Sequence, residues 1–418
     1  MSQPKDPAHV EISKIEMTTF SGGNPRDIKS IVHSFDIFES LDNYTVTADF
    51  YMADGADLQH LMPMGGEEMI NITLQTPGKA AITYKLFVHT ITGMKSNDQA
   101  MLKTYRISCC TKDYLLNASQ KYTKRYTEMK YDAALQAVLT DMGAEEKIKE
   151  LEPTIGKFDY VVNNVRPFQT ISLIKERAVS PENKSCSYVF YQDNKGYNFQ
   201  TIEKIIKDRK GSAIKFTYDP GQRLNPYESV NYRNILHYET LSQGNSVRKV
   251  QSGGQKNQVR EFDFHRGTYY KKEEYVNQSD QGSFAHTDDN NDFNSGDFNG
   301  FTQKLPGRTL MTIKDATRPD MKHNEKIHYQ RAFREKLIQH QLRVRVYGDT
   351  NFRVGDVVRL VIPEITGVSR AVNQQEIFSE KYIITNLKHR CNASRAGGFE
   401  HFMIMDVSKT GNYGKPLG

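Results

Sequence analysis

Paired carboxylates are the residues in this sequence that could most directly do acid–base chemistry. Glu67 and Glu68 are adjacent, and so are Glu145 and Glu146. Glycoside hydrolysis needs one carboxylic acid in an apolar pocket and a second carboxylate close by. The first pair begins a predicted strand and the second follows the end of a predicted helix, and side chains at both places are expected to be exposed. We therefore predict no glycosidase site, while a cell-wall (peptidoglycan) hydrolase stays open as an alternative function.

Histidine and aspartate clusters are the candidates for metal binding. His323 and His328 flank Glu325, but five residues apart on a helix they would not face one ion. The run Asp288–Asp292 resembles the start of a calcium loop. An EF-hand loop needs glycine at its sixth position and glutamate at its twelfth, and counting from Asp288 finds neither. The sequence thus predicts no metal site.

The cysteines show no spacing that is typical of a redox or zinc site. Cys109, Cys110, Cys186 and Cys391 include no C-x-x-C pair, and adjacent cysteines do not readily bridge each other. Four reduced and mostly buried thiols are expected. Glycine-rich phosphate loops, G-x-S-x-G and H-E-x-x-H are missing from the sequence as well. We therefore predict no cofactor, no catalytic residues and no enzyme.

Basic side chains could instead bind nucleic acid or acidic partners. The chain has 56 Lys and Arg against 50 Asp and Glu, a net charge of +6, and the basic residues are spread along it. Arg343, Arg345 and Arg359 fall in one strand-rich region, where they could line a channel for a passing genome or meet acidic neighbours. Salt-sensitive DNA binding would support a binding module built on barrels. That interpretation stays open as a second alternative.

Most of the elements that carry these residues are predicted strands. A chain of 418 residues suggests roughly two to four units of about 100–200 residues each. Tyr and Phe are plentiful and Trp is absent, which fits a β-rich protein. Within residues 10–112, apolar and polar residues alternate at 44–51, 69–74 and 86–91, and a further strand is predicted at 102–110. Short strands separated by Gly and Pro turns predict a first antiparallel barrel.

A small α+β domain is predicted over residues 113–205. Apolar residues three and four apart in Tyr131–Leu139 predict a helix, which the following glycine ends. Pro167 at the first turn predicts a second helix that runs to about Val179. The alternating residues of 187–199, interrupted by an Asp-Asn-Lys-Gly turn, predict a hairpin.

The rest of the chain is predicted to form a second barrel with an insertion. Residues 206–240 and 335–410 are assigned to the barrel, whose strand pattern resumes at Leu342. Residues 241–334 are predicted to be an irregular insertion. Polar residues dominate there, above all in Gln278–Phe301, and too few aliphatic side chains are present for a dense core.

The two strand-rich ends resemble each other. Gly66–Pro77 consists of a glycine and acidic residues, an alternating strand and a proline, and Gly355–Pro363 repeats that order in a shorter span. Glycine allows a tight turn, alternation builds a half-buried strand, and proline ends its ladder. In each copy a strand with a basic end follows, and then a closing strand. We interpret the two ends as a duplicated barrel.

This layout resembles the baseplate hub proteins of contractile-tailed phages and the hub part of the VgrG spike of type VI secretion. The resemblance covers about residues 10–410. The segments most like the family are Arg166–Arg177, Tyr188–Phe199, Phe352–Val358 and Tyr382–Leu387. It implies a mainly β fold with two similar antiparallel barrels, a small α+β domain and a long irregular excursion.

The resemblance also implies a function. In that family three copies form a ring in which the two barrels of each copy alternate, so a trimer presents six similar faces to a sixfold tail tube. A homotrimeric structural hub is therefore expected. It would join the tail tube protein to the central spike protein and leave a passage for the tape measure protein and DNA. Other baseplate proteins are further implied partners. The chain stops soon after Val407, so the spike should be a separate polypeptide.

The hydropathy of the chain agrees with a place in the virion tail baseplate, after assembly in the host cytoplasm. The first residues contain no apolar signal segment, and no run reaches about 18 apolar residues. We therefore expect synthesis in a cytoplasm and no membrane insertion.

Overall fold

The computed structural model is dominated by strands, so the fold class predicted from the sequence is confirmed. The structure describes residues 7–409 except 20–21, 59–61, 63, 98–101, 145, 183–184, 219–231, 244–255, 264–265, 276–307, 315–336, 339, 363–380 and 395–396. No helix in this part of the chain is both long enough and apolar enough to cross a bilayer.

The strands are β1 (His9–Thr18), β2 (Arg26–Asp27), β3 (Val32–Ser40), β4 (Thr47–Asp54), β5 (Met69–Gln75), β6 (Ile82–Asn97), β7 (Leu102–Cys110), β8 (Tyr122–Lys130), β9 (Ile148–Leu151), β10 (Lys157–Val165), β11 (Tyr188–Asp193), β12 (Gly196–Thr201), β13 (Ile214–Thr217), β14 (Ile235–Gln243), β15 (Lys256–Asp263), β16 (Thr268–Tyr275), β17 (Arg308–Lys314), β18 (His340–Tyr347), β19 (Val357–Val361), β20 (Lys381–Ala393) and β21 (Phe399–Lys409). The α-helices are α1 (Lys112–Ser119), α2 (Tyr131–Met142), α3 (Pro167–Arg177) and α4 (Ile202–Arg209).

The strands close into two barrels that share a hairpin. In the first barrel the hydrogen-bonded order is β3-β4-β7-β6-β5-β1-β21-β20, and β20 pairs again with β3. In the second barrel the order is β13-β19-β20-β21-β18-β14, and a bridge between Thr217 and Asn234 joins its two ends. The long hairpin β20–β21 is therefore part of both barrels.

The two barrels match strand by strand. The order β3-β4-β7-β6-β5-β1 in the first corresponds to β14-β18-β21-β20-β19-β13 in the second, and the corresponding strands follow the same order along the chain. Two contacts of β13 depart from the predicted antiparallel barrel: its bridge to Asn234 is parallel, and the strand itself runs parallel to β19. Parallel strands need a long connection, and the whole segment from β14 to β18 separates these two. The strand orders support the duplication inferred from the sequence.

Each barrel encloses its own apolar core. In the first core Phe35 stacks on Phe50 with ring centroids 5.4 Å apart, and both are fully buried. In the second core, the ring centroids of Phe216 and Phe352 lie 5.5 Å apart. The alternation of β4, which buries every second residue, shows why the strand pattern predicted this arrangement.

The α+β domain forms as predicted. Helix α2 buries residues three and four apart along one face, and Gly143 ends it in the left-handed conformation at φ 71°. Strands β11 and β12 pair as the predicted hairpin, and β9 adds to β12 in parallel. Rings stack across the hairpin, with Tyr188 4.6 Å from Phe199 and Phe190 4.9 Å from Tyr197.

Helix α3 begins at Pro167, and one N–H of its first turn is bonded to a side chain on a different helix. The Asn117 side chain on α1 accepts the Phe168 N–H at 2.8 Å. We expect Asn117→Ala to lower the free energy of unfolding by about 1 kcal/mol, because it leaves a backbone N–H of the first turn unpaired. Urea denaturation measures the change. Gln136→Ala, on the exposed face of α2, is the control and should change stability by less than about 0.5 kcal/mol; equal losses in both variants would contradict the capping role.

The predicted irregular insertion contains regular structure. Strand β15 pairs with β16 in antiparallel fashion and with β17 in parallel, which makes a three-stranded sheet within residues 256–314. The prediction of irregular structure is wrong for these strands. The abundance of polar residues across 241–334 obscured short runs that still contain β-forming Val, Phe and Tyr. The most polar segment, Gln278–Phe301, lies outside the described residues.

Candidate functional site at the junction of the three units

The adjacent glutamates do not form a catalytic pair. Glu67 is exposed, whereas Glu68 is buried, so the expectation that both are exposed is wrong for Glu68. Its carboxylate accepts the backbone N–H groups of Gly65 at 2.6 Å and Gly66 at 3.1 Å, and these bonds draw it into the turn before β5. Glu146 is exposed, and Glu145 lies outside the described residues.

The metal candidates lie outside the described residues, since these cover neither Asp288–Asp292 nor the segment with His323, Glu325 and His328. In the part of the chain that is described, no group of three or more His, Cys, Asp or Glu side chains could hold a metal ion. The four cysteines are all buried and free of disulfides, as expected.

Two of the three basic residues of the channel hypothesis, Arg343 and Arg345, have local partners. Arg343 forms hydrogen bonds with both carboxylate oxygens of Asp406, at 2.7 and 3.1 Å, and with Glu239 at 3.2 Å. The guanidinium of Arg345 lies 4.4 Å from the ring centroid of Phe402. Arg359 lies on β19, half-buried. Neighbouring acids thus balance the charge of Arg343, which favours a packing role for it over a track for phosphates.

A cluster of buried and half-buried ion pairs lies where the α+β domain meets the second barrel. We call Arg209, Arg353, Glu150, Asp193 and Asp356 the junction cluster. Arg353, in the loop between β18 and β19, reaches Glu150 on β9 at 2.7 Å and Asp193 at the end of β11 at 2.9 Å. The Asp193 side chain is fully buried. One arginine therefore holds two elements of the α+β domain against the barrel.

Arg209, the last residue of α4, makes the same connection from the opposite side. Its guanidinium lies 2.8 Å from Glu150 and 3.2 Å from Asp356, and it donates to the Val354 carbonyl. Burial would raise the pKa of Glu150, but the two arginines outweigh it and lower that pKa. Burial dominates at Asp356, whose pKa is raised despite the same neighbours.

The first barrel joins this region through Glu39 on β3. Its carboxyl accepts the Tyr84 hydroxyl at 2.9 Å and the Val354 N–H at 3.4 Å. Burial, together with the negative charges of Asp193 and Asp356, raises the pKa of Glu39 to about 8. Because the junction cluster holds two arginines and three carboxylates, its net negative charge also favours the protonated form of Glu39.

The raised pKa of Glu39 predicts a measurable pH dependence. The neutral acid is favoured by folding, so its contribution is complete below about pH 4.5 and is lost as the pH rises to about 8. Between pH 6 and pH 7 the titration of Glu39 should lower the free energy of unfolding of the wild-type protein by about 1.4 kcal/mol.

Glu39→Gln keeps a neutral acceptor and should remove that loss. Denaturant titrations at the two pH values test this. Glu67→Gln, which changes an exposed glutamate of the same barrel, is the matched control and should behave like the wild-type protein. An unchanged pH slope in Glu39→Gln would contradict the assignment.

Of the carboxyl groups at the junction, those of Glu39 and Asp193 are buried, while the Glu150 and Asp356 side chains are 29% and 24% exposed. Two surface clefts lie elsewhere, one of about 430 Å³ between the first barrel and α1 and α3 and one of about 240 Å³ beside β8 and α2, and no member of the junction cluster lines either. A carboxyl with a pKa near 8 could act as a general acid, but Glu39 is about 2% exposed. The arrangement therefore fixes the relative positions of three structural units.

Sequence reasoning missed most of this junction. The sequence pattern indicates only that Asp356 is the acidic residue after Gly355 in the internal repeat. Glu39, Glu150 and Arg353 are single charges in otherwise ordinary strands and loops. The one local signal was charge inside a strand pattern, as with Glu39 between buried residues of β3.

No protein-family model matches the sequence. A "Probable baseplate hub protein gp334" of Vibrio phage KVP40 is 23% identical over 378 residues, which cover 87% of each chain.

Two solved structures have a similar fold. A tail protein from Neisseria meningitidis MC58 matches with a TM-score of 0.59 and 8% identity, over 95% of this chain and 96% of that one. The prophage MuSo2 43 kDa tail protein from Shewanella oneidensis matches with a TM-score of 0.53 and 11% identity, over 95% and 98%. The predicted resemblance is therefore confirmed: over most of its length the chain is similar to a phage baseplate hub protein, and it has the fold of phage tail proteins.

Proposed function

We propose that this protein is the structural hub of a contractile phage tail baseplate. Three copies form a ring that adapts the sixfold tail tube to the threefold central spike and leaves a passage for the tape measure protein and DNA. The observation that carries the proposal is the pair of barrels with the same strand order in one chain. A trimer of such chains offers six similar barrels, which is the number that a sixfold partner needs.

The barrels also have the rigidity that this role requires. A flexible linker would let the two barrels of one chain move independently, and six matching faces would not form. Here the hairpin β20–β21 belongs to both barrels, and Arg390 and Lys388 on β20 hold Asp36 on β3 at 2.8–3.0 Å. The pKa of Asp36 is lowered, because these two cations outweigh its burial.

The partners follow from the role. They are the tail tube protein, the central spike protein, the tape measure protein and neighbouring baseplate proteins, with DNA only in passage. The protein is located in the virion tail and acts without catalysis. Its proposed units are residues 10–112, 113–205, and 206–240 with 335–410, and the shared hairpin of the third unit also closes the first.

Mass in solution tests the proposal. Light scattering after gel filtration should give three times the 48.0 kDa of one chain, alone or after mixing with the spike protein. Electron microscopy of the trimer should then show a ring of six similar densities. A stable dimer or tetramer, or a chain that stays monomeric with its spike, would contradict the proposal.

A further inference from the structure

Two buried histidines lie where the two cores meet. Along β20 the inward residues are Leu387, which packs in the second core, then His389, and then Cys391, which packs in the first. Along β21, His401 lies in the same way between Phe399 of the first core and Met403 of the second. The shared hairpin thus changes from one core to the other at the two imidazoles, which we call the histidine pair.

The two rings contact each other directly. His389 Nδ1 lies 3.0 Å from His401 Nε2, and the side chains are 0% and 1% exposed. The outer ring nitrogens, His389 Nε2 and His401 Nδ1, have no hydrogen-bond partner among the described protein atoms. Gly348 lies against the His401 ring so closely that a Cβ there would be 2.1 Å from its Cγ and Nδ1.

This geometry accepts protons poorly. In the neutral pair one ring donates and the other accepts, which leaves one outer N–H and one outer lone pair buried. A first added proton turns that lone pair into a second buried N–H and brings a charge into an apolar site. A second proton places N–H groups face to face at 3.0 Å and removes the hydrogen bond between the rings. The pair is therefore stable only in its neutral form.

We infer that the histidine pair is an acid-sensitive contact between the barrels: when it takes up protons, the hairpin segment that both barrels share opens before the rest of the chain unfolds. Opening exposes the rings to water, where each can be charged and solvated. This inference does not depend on the proposed function.

Other titratable groups near the pair do not offset its protonation. Those on the elements packed about it are Glu39 on β3, Tyr84 on β6, Cys391 on β20, Glu400 on β21, His9 on β1 and Asp349 after β18. Glu39, whose pKa is about 8, is bonded to Tyr84 and to the Val354 N–H, and neither lies on the hairpin, so opening of the hairpin leaves these bonds and the proton of Glu39 in place. Glu400 is bonded to Ser394, and Asp349 accepts the Asn351 N–H. Within the described residues no carboxylate is bonded to either ring.

The direction of the pH effect follows from linkage. Burial lowers the pKa of His389 to about 4, and burial together with the neighbouring ring lowers that of His401 well below its usual range. In the opened hairpin both histidines have a pKa near 6.5. Below that pH the open form therefore binds more protons than the closed form. Between pH 7 and pH 5 each histidine should therefore raise the equilibrium constant for opening roughly 20-fold.

Hydrogen exchange of the full chain, read as protection factors at pH 7 and pH 5, tests this. We expect amides of residues 386–392 and 399–405 to lose at least about 20-fold in protection at pH 5, while those of α2 change little. His389→Phe with His401→Phe, which keeps flat rings but no titratable nitrogen, should abolish the loss. His33→Gln, at an exposed position on β3, should leave it intact. Equal hairpin protection at both pH values in the wild-type protein, or the same loss in the double variant, would overturn the inference.

A measurement on the wild-type protein covers the case in which the double variant does not fold. Carbon-13 labelling of histidine allows each ring to be titrated by NMR, with assignment by single substitution. Two rings that stay neutral down to about pH 5, with hairpin signals broadening below that point, support the inference. Titration of either buried ring near pH 6.5 without a change in the hairpin would overturn it.

Discussion

Arg353→Ala is expected to lower the free energy of unfolding by about 3–5 kcal/mol. The substitution removes the partner that Glu150 and Asp193 share, at 2.7 and 2.9 Å. Asp193 has no exposed side-chain surface, and the Lys195 N–H that it also accepts, at 2.8 Å, carries no charge to replace the guanidinium. A buried carboxylate without its partner is more destabilising than the ion pair was stabilising, and this asymmetry makes the expected loss large. Denaturant titration at pH 7 measures it.

Two variants make the Arg353 experiment specific. Arg353→Lys keeps the charge but loses the planar fork that reaches two carboxylates, so an intermediate loss is expected. Arg343→Ala removes an arginine that is also paired twice, but its side chain is 44% exposed, and a loss below about 1 kcal/mol is expected. If Arg343→Ala and Arg353→Ala were equally destabilising, burial would not be what distinguishes the junction cluster.

The same variant connects the junction to the proposed assembly. If the α+β domain and the two barrels must keep a fixed geometry for three chains to form a ring, then Arg353→Ala should weaken trimer formation even under conditions where the monomer stays folded. Arg343→Ala should not. Light scattering at a series of protein concentrations separates the two effects.

Much of the fold could be predicted because its signals are local. Each of these signals depends on residues in one short stretch of the chain. They are the alternation in β4 and β5, the helical spacing in α2 and the turn between β11 and β12. The repeat of Gly66–Pro77 in Gly355–Pro363 is also visible without a structure, and the matching strand orders agree with it. Local periodicity therefore indicated the two barrels and the α+β domain between them.

The junction could not be predicted because its contacts are distant in sequence. Arg353 bonds to residues 160 and 203 positions away, and Glu39 to the N–H of a residue 315 positions away. No pattern in one stretch of chain indicates which single charges will meet after folding. The shared hairpin could not be predicted for a related reason. The sequence pattern showed only part of β20 and β21, and it gave no sign that the two strands pair within both barrels.

Burial of individual polar residues was equally hard to predict. Glu68 was expected to be exposed because charged residues at strand starts usually are, yet two backbone N–H groups of the preceding turn bind it. His389 and His401 occupy inward positions of their strands, two residues away from apolar residues on either side. A sequence shows that spacing, but the contact between the two rings depends on the register of β20 against β21.

Gly348→Ala should destabilise the protein by about 1–3 kcal/mol, the usual range for an overpacked site. A methyl group at this position would lie 2.1 Å from the Cγ and Nδ1 of His401, and the ring cannot move away because it is buried against His389. The backbone is held too, since the Gly348 N–H donates to the His401 carbonyl at 2.9 Å. Gly211→Ala, where nothing lies within 4 Å of the new methyl group, is the control and should be neutral or slightly stabilising.

A double-mutant cycle then identifies the cause. His401→Ala alone should be destabilising because it leaves a cavity between the cores, but it also makes room for the methyl group. Gly348→Ala combined with His401→Ala should therefore be less destabilising than the sum of the two single changes, by about 0.5–3 kcal/mol. Strict additivity would mean that the strain of Gly348→Ala arises in the backbone and not at the ring. A clear coupling would show that the loop after β18 packs directly against the His401 ring, and that this contact contributes to the stability of the shared hairpin.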